Sequence, residues 1–223
     1  MSNFVRAVAR LISRTLVAGI ALSGGLALAA PSALDTIKQR NAEVDKLLRQ
    51  KVEKGTPAEQ KVKDDLRRLA GALLDYGELS KKALGPQWDK LTPAQQKEFV
   101  TVFQKLIERH YVKQLRTNLD YEVNWRGEQI DGATATVTSI IKVKTSSGTT
   151  DAQILYKLKK GDAGWQVWDV VTDEMSLVRN YNSQFAKIIT TKGYDELLRR
   201  MKQKAEDPND AVTAAKGAGK DGG

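Results

Sequence analysis

The spacing of apolar residues changes twice along this chain, and those two changes limit the fold more than any single motif. Between Tyr121 and Val171 apolar side chains recur at every second position. On both sides of that stretch they recur every third or fourth. The first period is that of a half-buried strand and the second that of an amphipathic helix. The order is therefore helices, then strands, then helix. Helices segregated from one run of sequential strands predict an α+β fold, with a twisted antiparallel sheet of about four strands packed against several helices.

Leu34, Ile37, Val44, Leu48 and Val52 set the first helix, which Gly55 is expected to stop. Thr56-Pro57-Ala58-Glu59 starts the next. The threonine can cap, the proline suits the first helical position, and the glutamate completes a capping box. Val62, Leu66, Leu69 and Leu73 follow on a narrow arc, and Tyr76, Leu79 and Leu84 form a shorter helix ended by Gly85-Pro86. Thr92-Pro93-Ala94-Gln95 opens the longest helix, expected to reach about Asn118. At about 100° per residue, Phe99, Val102, Phe103, Leu106, Ile107 and Tyr111 cover about half of its circumference. That suits a helix covered on several sides or one lining a cavity.

In the alternating stretch, Tyr121, Val123 and Trp125 mark one strand. Val137, Ile141 and Val143 share a face of the next, and Ile154, Tyr156 and Leu158 a face of the third. Trp165 to Val171 make the fourth, after a loop at Lys160 to Gly164. Leu177, Val178, Tyr181, Phe185, Ile188 and Ile189 then give a helical stripe. Gly193 breaks it, and Tyr194 to Met201 add a last helical segment.

The two ends read differently. Arg6, Arg10 and Arg14 precede an apolar stretch, Leu16 to Leu28, and Ala27-Leu28-Ala29 is a small-x-small cleavage signal. Residues 1–29 read as a signal peptide, since about a dozen apolar residues are too few to span a bilayer core of about 30 Å. Residues 30–204 are the domain. Residues 205–223, with one proline, four glycines and almost no large apolar side chain, read as a disordered tail.

Composition removes several chemistries. The 223 residues include no cysteine and one histidine. Disulfide frameworks, thiolate metal sites, thiol nucleophiles and multi-histidine metal centres are excluded. No cofactor and no metal are expected. The net charge of +9 suits an anionic partner. The basic residues Lys81, Lys82, Arg109, Lys113, Arg116, Arg179, Lys187, Lys192, Arg199 and Arg200 are scattered, however, where nucleic-acid binding favours one patch with stacking aromatics. No nucleic-acid partner is expected. Two groups are open to catalysis. His110 lies near the middle of the long helix's apolar arc and could be a general base, although a buried structural histidine is commoner. Asp169 interrupts an apolar strand, where a carboxylate can be catalytic but more often caps or pairs.

Three segments carry a resemblance. They are Leu74 to Trp88 (LDYGELSKKALGPQW) running into Leu91 to Phe99 (LTPAQQKEF), Gly164 to Val170 (GWQVWDV), and Ser176 to Phe185 (SLVRNYNSQF). In this order they resemble the MlaC family, the toluene-tolerance periplasmic phospholipid carriers that work with an ABC transporter. The chain departs from the family in having Glu174-Met175 where Gly then Val or Ile is usual, and Asn182 where Arg is common. The resemblance implies a periplasmic, non-enzymatic monomer with a phospholipid held in an apolar cavity. It also implies transient docking to an inner-membrane ABC transporter complex and an outer-membrane complex, and a part in outer-membrane lipid asymmetry. The implied cavity wall is Phe99, Phe103, Leu106 and Ile107 on the long helix, Ile154, Tyr156 and Leu158 on the sheet, and Leu177, Val178 and Tyr181 on the following helix. A small secreted enzyme of ketosteroid-isomerase-like shape, using Asp169 or His110, and a ligand-free cell-envelope adaptor are the alternatives. N-terminal sequencing is expected to find the mature chain starting near Ala30 in the periplasmic fraction. Intact Met1 in a membrane pellet would refute this processing.

Overall fold

A computed structural model describes residues 31–115, 121–145 and 148–206, with the side chains of 110–115 and 144–145 also outside the described set. The signal-peptide reading, the tail from residue 207 onward, the far end of the long helix near Asn118, and the His110 and Tyr111 side chains therefore lie outside the described residues.

Helix starts follow the sequence signals closely. α1 (Ala33–Leu48) is capped by Ser32, whose hydroxyl accepts from the Asp35 N–H, and α2 (Pro57–Leu73) by Thr56. Glu59 reaches back to the Gly55 N–H at 2.9 Å, one residue before the cap. α1 ends at Leu48, well before Gly55. Val52 packs from the connection onto Leu48, Val62 and Leu66, so its apparent helical spacing came from a loop folding back. α3 (Tyr76–Leu84) is capped by Asp75, and a 3-10 turn follows over Gly85–Lys90. α4 (Pro93–Leu115) starts with a reciprocal box in which Thr92 N–H donates to Gln95 Oε1 at 2.9 Å and Gln95 N–H to Thr92 Oγ1 at 3.3 Å.

The strands are β1 (Tyr121–Asp131), β2 (Thr134–Thr145), β3 (Gly148–Gly161), β4 (Gly164–Thr172) and the two-residue β5 (Met175–Ser176). They form one antiparallel sheet in sequence order. Pairing skips Arg126 on β1 and Trp168 on β4, so each strand carries a bulge. The outer edge of β4 is closed by two segments. Asp75 N–H donates to the Val167 carbonyl at 2.8 Å, and β5 pairs with Val171 and Thr172. Covering that edge removes a site for unwanted strand pairing. The β4–β5 turn places Asp173 at φ 46° and Glu174 at φ 69°, in the left-handed region that favours glycine. The usual family glycine fits that conformation, and Glu174 holds it at a cost of about 1–2 kcal/mol. Arg179 Nη2 steadies the turn by donating to the Glu174 carbonyl at 2.9 Å.

α5 (Leu177–Lys192) and α6 (Tyr194–Glu206) complete the chain, α6 extending two residues into the stretch read as tail. α3, α4, α5 and α6 bury one apolar cluster, while Ala33 and Ile37 of α1 pack with β2, β3 and β4 in a second. Leu74, between α2 and α3, packs against both. In the helical cluster Phe103 meets Tyr181 edge-on at 4.8 Å and Phe185 at 5.2 Å, a favoured aromatic geometry. Asn182 Nδ2 donates to the Ala83 carbonyl at 3.1 Å, satisfying the C-terminal end of α3 from α5.

Asp169 fixes α5 to the sheet. Its side chain is 2% exposed. Oδ2 accepts from Ser176 Oγ at 2.8 Å and Oδ1 from the Val178 N–H at 3.0 Å, while Ser176 Oγ accepts from the Arg179 N–H. A carboxylate at a helix N-terminus also meets the positive end of the helix dipole. Asp169→Ala is expected to cost roughly 2–4 kcal/mol by orphaning a buried hydroxyl and a buried N–H, read as a lowered denaturant midpoint. A second tether joins α1 to β1, where Tyr121 Oη donates to Asp45 Oδ1 at 3.1 Å. The Arg49 hydrogen bond, aided by Tyr121, holds Asp45 below its ordinary carboxylate range. A depressed folded pKa adds stability at neutral pH that is lost as the pH falls through about 4 and below. Tyr121→Phe is expected to cost about 0.5–1 kcal/mol at pH 7, and thermal melts should show that gap narrowing as the pH falls below about 4.

Candidate functional site

Directly paired strand residues share a face, so the register identifies the inward side of the sheet. Val123, Trp125, Val137, Ser139, Ile141, Ile154, Tyr156, Leu158, Val167 and Val170 all lie on the side that receives Ala33 and Ile37 of α1. At the β4 end this face is closed, with Val137, Leu158 and Val167 enclosed. Toward β1 it is not: Val123, Trp125, Ile141, Val143 and Tyr156 are only partly buried. Trp125 and Tyr156 lie with ring centroids 6.2 Å apart. Burial pushes the Tyr156 phenol up. The result is a mostly apolar surface, inward-facing yet incompletely covered; Glu128, paired with Val137 on the same face, accepts from the Leu34 N–H at 2.8 Å at the start of α1. A mostly apolar surface of this kind suits contact with a hydrocarbon chain.

The ten proposed wall residues divide. Ile154, Tyr156 and Leu158 share the inward face as their alternation predicts. Phe99, Phe103, Leu106, Ile107, Leu177, Val178 and Tyr181 belong to the helical cluster instead, together with Phe185 and α6. Leu158 and Tyr156 belong to the sheet cluster, and Leu74 is the residue that touches both. Phe99, Phe103, Ile107 and Leu158 are enclosed by protein atoms, and Ile154 and Val178 nearly so. Leu106, Tyr156, Leu177 and Tyr181 retain accessible surface. Partly buried β1 and β2 residues share that face with Ile154, Tyr156 and Leu158. Their alternation was visible, but which of two strand faces turns inward is decided by pairing.

Asp169 has both carboxylate oxygens engaged in holding α5, with Lys157 Nζ 3.6 Å from Oδ2. Many basic residues are also engaged locally. Arg199 and Arg200 bind Glu196, Arg109 donates to the Ala205 carbonyl, and Lys82 pairs with Glu78 and lies 4.6 Å from the centre of a Trp168 ring. Among the described residues no cluster of three His, Asp or Glu side chains is placed to hold a metal ion. No helix among them is long and apolar enough to cross a membrane.

A solved structure of a phospholipid-binding protein from Ralstonia solanacearum, in complex with a phospholipid, superposes with a TM-score of 0.65 at 21% identity, over 78% of this chain and 97% of that one. The likeness establishes a shared fold. The intermembrane phospholipid transport system binding protein MlaC of Haemophilus influenzae is 24% identical over 159 residues, which span 67% of this chain and 74% of that protein. The family model described as MlaC protein matches residues 38–203, from within α1 to within α6. By that match over most of its length, the chain belongs to the MlaC family.

Proposed function

We propose that this protein binds a phospholipid and carries it across the periplasm, between an inner-membrane ABC transporter complex and an outer-membrane complex. The family match over residues 38–203 carries this reading. The relatives' own ligands, a phospholipid in one and phospholipid transport in the other, support it. The protein works as an exported monomer after loss of residues 1–29. It uses no cofactor, metal or nucleic acid, and no bond is made or broken.

The physics of the cargo sets the requirement. Two acyl chains of about 16 carbons hold on the order of 30 methylenes, and at ~0.8 kcal/mol each their exposure to water costs ~25 kcal/mol. A carrier has only to replace water with apolar protein surface. In this reading the chains lie against the open inward face near Trp125, Ile141 and Tyr156, with Leu106, Leu177 and Tyr181 contributing from the helices. Phe99, Phe103, Ile107 and Leu158 back that wall, with Ile154 and Val178 between the two groups. Direction of transfer would come from different affinities at the two docking complexes. Nothing favours a catalytic role for Asp169, whose oxygens already satisfy α5.

Organic extraction of the purified protein followed by mass spectrometry is expected to yield stoichiometric phospholipid; an empty, non-exchanging protein would refute the reading. Ile141→Trp and Leu177→Trp are expected to lower lipid occupancy severalfold while leaving stability nearly unchanged. Ile107→Trp, at an enclosed position, should instead cost ~1–3 kcal/mol from overpacking. Occupancy and melting temperature measured together separate these cases.

A further inference from the structure

Ser139 occupies the middle of the inward sheet face, paired with Trp125 on one side and Ile154 on the other. Val137 and Ile141 flank it along β2. The residue is fully enclosed, and its hydroxyl oxygen has no hydrogen-bond partner. Burial pushes the neighbouring Tyr156 phenol up and the Ser139 hydroxyl draws it down, yet no hydrogen bond of ordinary geometry joins the two. A lone buried hydroxyl is a cost to the folded protein. The side chains paired with it are Trp125 and Ile154 and those flanking it on its strand are Val137 and Ile141, so alanine would serve packing there better. Trp125, Ile141 and Tyr156, on the same face around it, are themselves only partly buried. The orphaned donor therefore lies beneath the part of the face left open.

We propose that the Ser139 hydroxyl donates a hydrogen bond to an ester carbonyl of the bound lipid, so that the protein distinguishes ester-linked from ether-linked chains. This rests on the phospholipid reading above. An acyl ester presents a carbonyl oxygen, a strong acceptor carried at the top of an apolar chain. An alkyl ether has no carbonyl and leaves the serine as unpaired as it is in the empty protein. The discrimination thus equals one hydrogen bond, a factor of roughly 3–10 in affinity.

The test uses the delipidated mature protein and three probes: a diester phosphatidylglycerol, its diether counterpart with equal chains, and palmitate. Wild type should prefer the diester about 3–10-fold. Ser139→Ala should abolish that preference, leave palmitate binding unchanged, and raise the melting temperature, because the unpaired hydroxyl is gone. A residue with only a structural role would not move selectivity and stability in opposite directions. Ser139→Cys, with a weaker donor in nearly the same shape, should fall between the two. Equal wild-type affinity for diester and diether overturns the proposal, as does a preference that survives in Ser139→Ala. A Ser139→Ala effect confined to palmitate would make a carboxyl group the ligand and also overturn it. Failure of both variants to fold would make Ser139 a packing residue. Binding of neither phospholipid by wild type would instead defeat the carrier reading itself.

Discussion

One extra residue in β4 sets the relation between the sheet and the helices. Leu158 pairs with Val167 and Lys157 with Asp169, so Trp168 has no partner of its own. Without that bulge, Asp169 would share the inward face with Val167, a carboxylate among apolar side chains. With it, Asp169 sits beside Lys157 on the opposite face, where the start of α5 supplies a hydroxyl and an N–H. Val170 returns to the inward face beside Tyr156. Trp168 packs against the helical cluster while its neighbour Val167 packs in the sheet cluster. A bulge thus lets one short strand serve two cores.

The two cores are joined at few places, all near β4. Leu74 packs into both, Asp75 bonds the strand edge, and Glu78 on α3 takes Lys159 of β3 at 3.2 Å. Beyond these joints the inward face toward β1 is left partly uncovered. A protein that encloses hydrocarbon reversibly has reason to leave such a region. A fully packed interior at protein density has no room for a chain, and an enclosed polar floor would be costly to desolvate. The Ser139 hydroxyl, buried on that floor without a hydrogen-bond partner, stands out for this reason.

The departures from the family pattern have local accounts. Glu174 adopts the backbone region where glycine is usual, and its carbonyl is held by Arg179. Asn182 bonds the end of α3. Both lie around α5, away from the inward sheet face.

Much of the fold was legible in the sequence. The change of period separated helices from strands because side-chain spacing follows directly from backbone geometry. Thr56, Thr92 and Gly193 marked helix ends because capping is a local matter of unpaired N–H and C=O groups. What stayed hidden depended on partners far along the chain. Strict alternation from Trp165 to Val171 would keep Val167 and Asp169 on one face, and only pairing with β3 shows the switch after Val167. Val52 imitated a helical position from a loop. The proposed wall joined α4 directly to the β3 face, yet those residues fall in separate clusters bridged by Leu74. Apolar spacing says that a side chain will be buried, because hydrophobic transfer is non-directional. Which surface buries it, and whether space is left beside it, are decided by register, bulges and packing in the assembled chain.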